Sequence, residues 1–158
     1  MQQLYNPGSA GDGGAIYVKG NDTLIHDSSF LESYGLNGGN GGAINIAGNN
    51  AGANARIINS TFITCVVDTA NTLGGAIYID GVNATVNGSS FNDCRAAENG
   101  GAIYIIGSFS KIMDSTFNLS QSRYGAGIYI QGNNATVDNS TFINNTAERA
   151  GGAIYSIS

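Results

Sequence analysis

Gly100-Gly101-Ala102-Ile103-Tyr104-Ile105 is the clearest copy of a phrase that runs through this chain. Close copies begin Gly13-Gly14-Ala15-Ile16, Gly41-Gly42-Ala43-Ile44, Gly74-Gly75-Ala76-Ile77 and Gly151-Gly152-Ala153-Ile154, with Gly125-Ala126-Gly127-Ile128 as a variant. The isoleucines stand at 16, 44, 77, 103, 128 and 154, giving steps of 28, 33, 26, 25 and 26 residues. A recurrence in this range is the signature of a repeat architecture. Between the glycine phrases lies a second one: Ser28-Ser29-Phe30, Ser60-Thr61-Phe62, Ser89-Ser90-Phe91, Ser115-Thr116-Phe117 and Ser140-Thr141-Phe142. One short motif is therefore written about five and a half times.

Each glycine phrase opens an alternating apolar triplet, such as Ile16-Tyr17-Val18, Ile77-Tyr78-Ile79 or Ile128-Tyr129-Ile130. Alternation of β-branched and aromatic residues predicts a strand. First and third residues of a strand share a face, so the aliphatics should point inward and the middle tyrosine outward. A second strand is centred on Ile25, Ile57, Val86, Ile112 and Val137, five positions before each phenylalanine. Two residues later come Asp27, Asn59, Gly88, Asp114 and Asn139, types that tolerate the left-handed backbone of a sharp corner. The serine and phenylalanine that follow are two apart and should both face inward, with the intervening hydroxyl outward.

Three short strands and three corners in about 26 residues predict one coil of a solenoid. The predicted fold is all-β: a right-handed parallel β-helix of about five coils, with three short strands per coil. Coils would stack at the strand spacing of about 4.8 Å, setting isoleucine on isoleucine and phenylalanine on phenylalanine. The core ladder is then Phe30, Phe62, Phe91, Phe117 and Phe142. A β-sandwich would not require the same residue type at the same offset in every unit. The chain reads as a single repeat domain over 1–158, with 1–12 as lead-in and 13–158 as repeats. Four extra residues in the second unit fall within Gly48–Ala55, and solenoid insertions of this kind bulge outward from corners and often build the binding face.

Composition narrows the function classes. The formal net charge is −5, and the six Lys and Arg are dispersed. Nucleic-acid binding needs a concentrated basic face, so none is expected. No stretch approaches the roughly 20 apolar residues of a membrane span, so no membrane insertion is expected in this segment. The start, Met1 to Pro7, lacks the basic flank and apolar run of a signal peptide; an export signal would lie outside this chain.

The glycine phrase, together with a strand ending S-[ST]-F-x-x-[NSC], resembles two groups of surface proteins. One is the chlamydial polymorphic outer-membrane proteins, with their repeated GGAI and FxxN motifs. The other is the adhesin-like surface proteins of methanogenic archaea, whose style is seen best in Asn139-Ser140-Thr141-Phe142-Ile143-Asn144-Asn145-Thr146-Ala147 followed by Gly151-Gly152-Ala153-Ile154-Tyr155. Only Phe142 to Asn145 matches FxxN to the letter; the other units end in Ser33, Cys65, Cys94 and Ser120, closer to the archaeal pattern. The resemblance extends from about Gly13 to the end. It implies an exported, extracellular protein displayed on the cell surface and used for attachment, with a host or microbial surface glycan or protein as partner.

β-helices also carry polysaccharide lyases and glycoside hydrolases, the alternative reading. Those sites need carboxylates converging on one face with a basic residue nearby. Here Asp27 and Asp114 occupy corner positions, and Asp80 has Ala47 and Ile106 at the matching offset in adjacent units. No catalytic residue is expected, and no cofactor. His26, the single histidine, stands alone at a corner, so no metal site is expected. Ice binding would want a flat threonine array, and the outward column is mixed Ser and Thr in single file.

The leading binding feature is the stripe Tyr17, Tyr78, Tyr104, Tyr129 and Tyr155, interrupted by Asn45. Outward rings stacked about 5 Å apart suit sugar or peptide binding; the same ladder also stabilises neighbouring strands with no ligand. Cys65 and Cys94 each follow a repeat phenylalanine by three residues and would be vertical neighbours, within disulfide range. Export favours the disulfide, whereas an anaerobic habitat favours two free thiols. Eight Asn-x-Ser/Thr sequons are present, of which Asn59 and Asn139 sit at predicted corners. Because the sequence stops at Ser158 without a polar cap, the expectation is a piece of a larger protein whose last coil could pair end to end with another molecule.

Overall fold

The computed structural model describes residues 11–47 and 53–157. Most of the expected lead-in and residues 48–52 of the Gly48–Ala55 insertion lie outside the described residues. The rest is a parallel β-helix of about five coils, of the right-handed kind that parallel crossovers take almost without exception. The glycine-phrase strands Ile16–Val18, Ile44–Ile46, Ile77–Ile79, Ile103–Ile105, Ile128–Ile130 and Ile154–Ser156 form one six-stranded sheet in chain order. A second sheet joins Leu24–His26, Arg56–Ile58, Thr85–Asn87, Lys111–Met113 and Thr136–Asp138, and a third joins Ser29–Leu31, Thr61–Ile63, Ser90–Asn92, Thr116–Asn118 and Thr141–Ile143.

A fourth sheet was not anticipated. It consists of Val66–Val67, Arg95–Ala96, Gln121–Tyr124 and Thr146–Ala150. Coils therefore have four strands rather than three, and a fourth corner to match. Left-handed backbone recurs at Asp22, Asn54, Asn83, Phe109 and Asn134, at Asp27, Asn59, Gly88, Asp114 and Asn139, and at Glu32, Thr64, Asp93, Leu119 and Asn144. The first glycine of each phrase makes the remaining corner: Gly100 has φ 67°, and a Cβ there would lie 2.3 Å from the Ile103 carbonyl oxygen. The second glycine answers a different need. A Cβ on Gly101 would come within 2.3 Å of the Ala126 carbonyl oxygen on the next coil.

Register is exact in kind from coil to coil. Ile103 pairs with Ile77 and Ile128, Ile112 with Val86 and Val137, and Phe91 with Phe62 and Phe117. The phenylalanine rings stack face over face at 4.8, 4.7, 4.8 and 4.8 Å from Phe30 through Phe142, tilted by no more than 6°. Strand spacing sets this separation, and the rings fill the interior at that pitch. Phe62, Phe91 and Phe117 are fully buried beside Ile57, Ile77, Ile103 and Ile112.

The corner serines form a second ladder. Each hydroxyl donates to the carbonyl two residues back: Ser60 to Ile58 at 2.9 Å, Ser89 to Asn87 at 3.1 Å, Ser115 to Met113 at 2.7 Å. Each oxygen also accepts the serine amide of the preceding coil, as Ser60 N donates to Ser89 Oγ and Ser89 N to Ser115 Oγ, both at 3.2 Å. Burying a hydroxyl costs free energy unless it is bonded; here it replaces the carbonyl that the bend has turned away.

Two corner residues break the polar pattern. Phe109 and Leu119 hold positive φ with their side chains exposed, Phe109 to 57%. Below Phe109 in the column, Asn83 Nδ2 donates to Asn54 Oδ1 at 2.8 Å and Asn54 Nδ2 to Asp22 Oδ1 at 2.9 Å. Phe109 ends that series.

Truncating Phe91 to Ala should lower stability by roughly 3–5 kcal/mol in urea unfolding, whereas Thr116→Ala, with its hydroxyl outward, should stay within about 0.5 kcal/mol. Phe109→Asn should raise stability by about 1 kcal/mol, because Asn tolerates this conformation and Phe does not; an unchanged or lowered urea midpoint would contradict the strain argument.

Candidate functional site

The tyrosine stripe lies where the alternation put it, at the centre of each glycine-phrase strand. Tyr17, Asn45, Tyr78, Tyr104, Tyr129 and Tyr155 are vertical neighbours in that order. Ring centroids are 5.6 Å apart from Tyr78 to Tyr104, 4.9 Å from Tyr104 to Tyr129 and 5.2 Å from Tyr129 to Tyr155. Interplanar angles grow along the series, from 4° to 18° to 30°. Tyr124, at the end of the fourth-sheet strand, leans against Tyr155 at 5.2 Å and 51°.

The stripe is less open than its outward direction suggests. Tyr104 and Tyr129 are only 5% and 7% exposed. Each ring is covered above and below by its neighbours, and the Tyr104 hydroxyl donates to Gln131 Oε1 at 2.6 Å. Tyr17 is different. Asn45 separates it from the stack, it is 46% exposed, and Lys19 Nζ lies 5.5 Å from its ring centroid. Asn45 itself is buried, donates to the Asn40 carbonyl at 3.1 Å, and leaves its own Oδ1 without a partner.

Electrostatics follow from this packing. Burial pushes the Tyr78 phenol up to about 12, with Asp80 adding to the shift, and burial does the same to Tyr104, also to about 12. Tyr129 is raised too, by burial first and by Tyr155 next. These hydroxyls are neutral hydrogen-bonding groups at any physiological pH.

Cys65 and Cys94 are vertical neighbours and free thiols, both fully buried. Arg95 N donates to the Cys65 carbonyl at 2.9 Å, tying the two coils directly beside them. The Cys94 thiol is pushed well up, by burial first and then by Cys65. Their column explains the third position after phenylalanine. Asn145 Nδ2 donates to the Phe117 carbonyl at 2.9 Å, one coil back, and Asn145 Oδ1 accepts from Ser120 N at 2.9 Å. Cys94 Sγ lies 4.0 Å from the Phe62 carbonyl and Cys65 Sγ 3.9 Å from that of Phe30. The thiols thus take the inward corner that asparagine fills with stronger bonds.

His26 is exposed, with Nδ1 3.0 Å from Asp27 Oδ2. That bond, followed by one from Asn59, holds the Asp27 carboxyl below its usual range. Among the described residues no group of three or more His, Cys, Asp or Glu could hold a metal ion. Of the corner asparagines, Asn139 Nδ2 donates to Asp114 Oδ1 at 2.5 Å, so that amide is engaged. The sequence reading missed the side chains of the fourth sheet, because Val66-Val67, Arg95-Ala96 and Gln121-Ser122 share no residue type.

Residues 139–157 match the Chlamydia polymorphic membrane protein repeat. The chain is 37% identical over 150 residues to a protein of Escherichia coli strain K12 described as the probable autotransporter YfaL; the match takes in 94% of this chain and 11% of that protein. No solved structure matches the chain. The chain spans about a tenth of that relative's length.

In alkaline titration, Tyr78 and Tyr104 should ionise near pH 12 while an exposed tyrosine does so near pH 10. Because the raised value belongs to the folded state, the stabilisation is complete below pH 10 and is lost as pH rises from 10 towards 12. Phenolate absorbance followed beside circular dichroism checks both. Ionisation of all tyrosines near pH 10 with the fold intact would contradict the buried stack.

Proposed function

We propose that this chain is a stretch of an adhesin-like passenger β-helix displayed outside the cell, serving attachment to host or microbial surfaces. The observation that carries this reading is the stacking of the described coils, in register throughout three sheets and bulged at one place in the fourth. Such a body lengthens by one strand spacing per coil, which suits it to extending outward from a surface. The similarity to a probable autotransporter and to the Chlamydia repeat supports export and surface exposure. The phrase from Asn139 to Ala147 supports including adhesin-like proteins of methanogenic archaea among its relations. We read the segment as non-enzymatic, with a surface glycan or protein as its partner. On the tyrosine face, contact falls to Tyr17 and the outer edges of Tyr78 and Tyr155, since Tyr104 and Tyr129 are closed off by their neighbours.

The test is attachment of the fluorescently labelled 158-residue chain to host and microbial cells, beside Tyr17→Ala. Tyr17 stands outside the ring stack, so its truncation leaves the fold intact. Saturable attachment is expected, weakened severalfold or more in the variant. Attachment that ignores the substitution moves recognition off the tyrosine face. No attachment by the folded wild-type chain makes the segment a spacer and overturns its part in adhesion.

A further inference from the structure

The fourth sheet carries a cleft of about 370 Å³ running across three successive coils. Its floor is the strand backbone at Ala96 and Ser122, whose own side chains are buried, with Ala97 beside it, and its sides are Arg95, Gln121, Thr146 and Glu148. Arg95, Gln121 and Thr146 are vertical neighbours, one from each coil. The register then slips. Ser122 pairs with Ala147 but Tyr124 with Ala150, so two residues of the last strand face the single Arg123. Bulges of this kind re-aim side chains and gather beside binding sites; here the extra length falls at Glu148 and Arg149.

Charge pairing sets these residues apart. Arg123, next along the strand, is held by Glu98 at 3.1 and 3.2 Å. Among the described residues, Arg95 has no carboxylate partner and Glu148 no cationic one. Both are exposed, as are Gln121 and Thr146.

We infer that this cleft binds a short neutral oligosaccharide; the inference rests on the attachment reading and names a ligand class and a second face for it. A guanidinium only donates hydrogen bonds, a carboxylate only accepts, and amide and hydroxyl do both. A ligand that answers all four at close spacing must itself offer donors and acceptors side by side, as vicinal hydroxyls do. One cation and one anion cancel, which favours an uncharged ligand. The volume sits at the lower end of the ~300–1,000 Å³ usual for small-ligand sites. The half-exposed Ala97 beside the strand backbone leaves room for the flat C–H face of a sugar ring.

An extended peptide fits less well. Peptides commonly bind a sheet by adding a strand to a free edge, and the backbone here is already engaged between coils. Arg95 N donates to Cys65, Gln121 N to Cys94 and Thr146 N to Ser120, each at 2.9 Å. On the face of the sheet, where the cleft lies, only side chains are left to meet a ligand.

The experiment is a printed array of neutral and acidic oligosaccharides and of peptides, probed with the wild-type chain, Arg95→Ala, Glu148→Gln and the distant surface variant Lys111→Ala. The cell-attachment assay is run on the same preparations. Binding to a subset of neutral oligosaccharides is expected, weakened about ten- to hundredfold in Arg95→Ala and Glu148→Gln, as loss of a charged hydrogen bond implies, and unchanged in Lys111→Ala. Sugar binding indifferent to both cleft variants overturns the cleft. So does binding to peptides or to acidic sugars alone, and so does cell attachment with a silent array; all three leave the attachment reading standing. Silence in both assays, with folding verified by circular dichroism, overturns both.

Discussion

Everything in this molecule depends on backbone hydrogen bonds that join each coil to the next, in register at every strand pair but the bulge between Ser122 and Tyr124. A parallel ladder of this kind places equal positions one above another, and the side chains must then be compatible with copies of themselves. Flat rings satisfy that demand by stacking, β-branched aliphatics by nesting, amides by donating to one neighbour while accepting from the other, and hydroxyls by accepting from the coil before while donating within their own. Charged groups do not, since like charges repel when stacked. Only 11% of residues are charged, and the buried ladders are made of Phe, Ile, Ser and Tyr.

The corners let such flat strands close into a coil. Each needs a residue in the left-handed region, and the chain meets that need in different ways. Where neighbouring backbone crowds the site, as at Gly100, only glycine fits. Where the corner is open, Asp and Asn serve and their amides are bonded up the column, as in Asn83 to Asn54 to Asp22. Thr64, Phe109 and Leu119 are held there against their own preference. Such strain persists only where the surrounding structure over-determines it, and the stacked coils on either side supply that constraint.

Much of this was legible in the sequence because solenoid packing is written as repetition. The phenylalanine column, the serine beside it and the corner at Asn59 could be read from recurrence alone, since each is locked to a copy of itself. The fourth sheet could not. Its outward positions, Arg95, Gln121 and Thr146, bind nothing that must repeat, so no pattern marks them. Nor could the closure of Tyr104 and Tyr129 be read, because alternation gives the direction of a side chain and not what lies beside it. Two rings of the tyrosine stripe are consequently closed off by their neighbours, while Tyr17, below the gap at Asn45, stands open.

The serine ladder gives the body a direction. The amides of Ser28, Ser60, Ser89 and Ser115 each donate to the hydroxyl of the coil that follows, ending at Ser140, and never to that of the coil before. A coil thus arrives bringing the acceptor its predecessor lacks, and leaves its own amide waiting for the next. Assembly in the order the chain is threaded closes one such gap per step, whereas the reverse order would hold the hydroxyls ready before any donor needs them. Growth from the first coil towards the last therefore satisfies one waiting serine amide with every coil added.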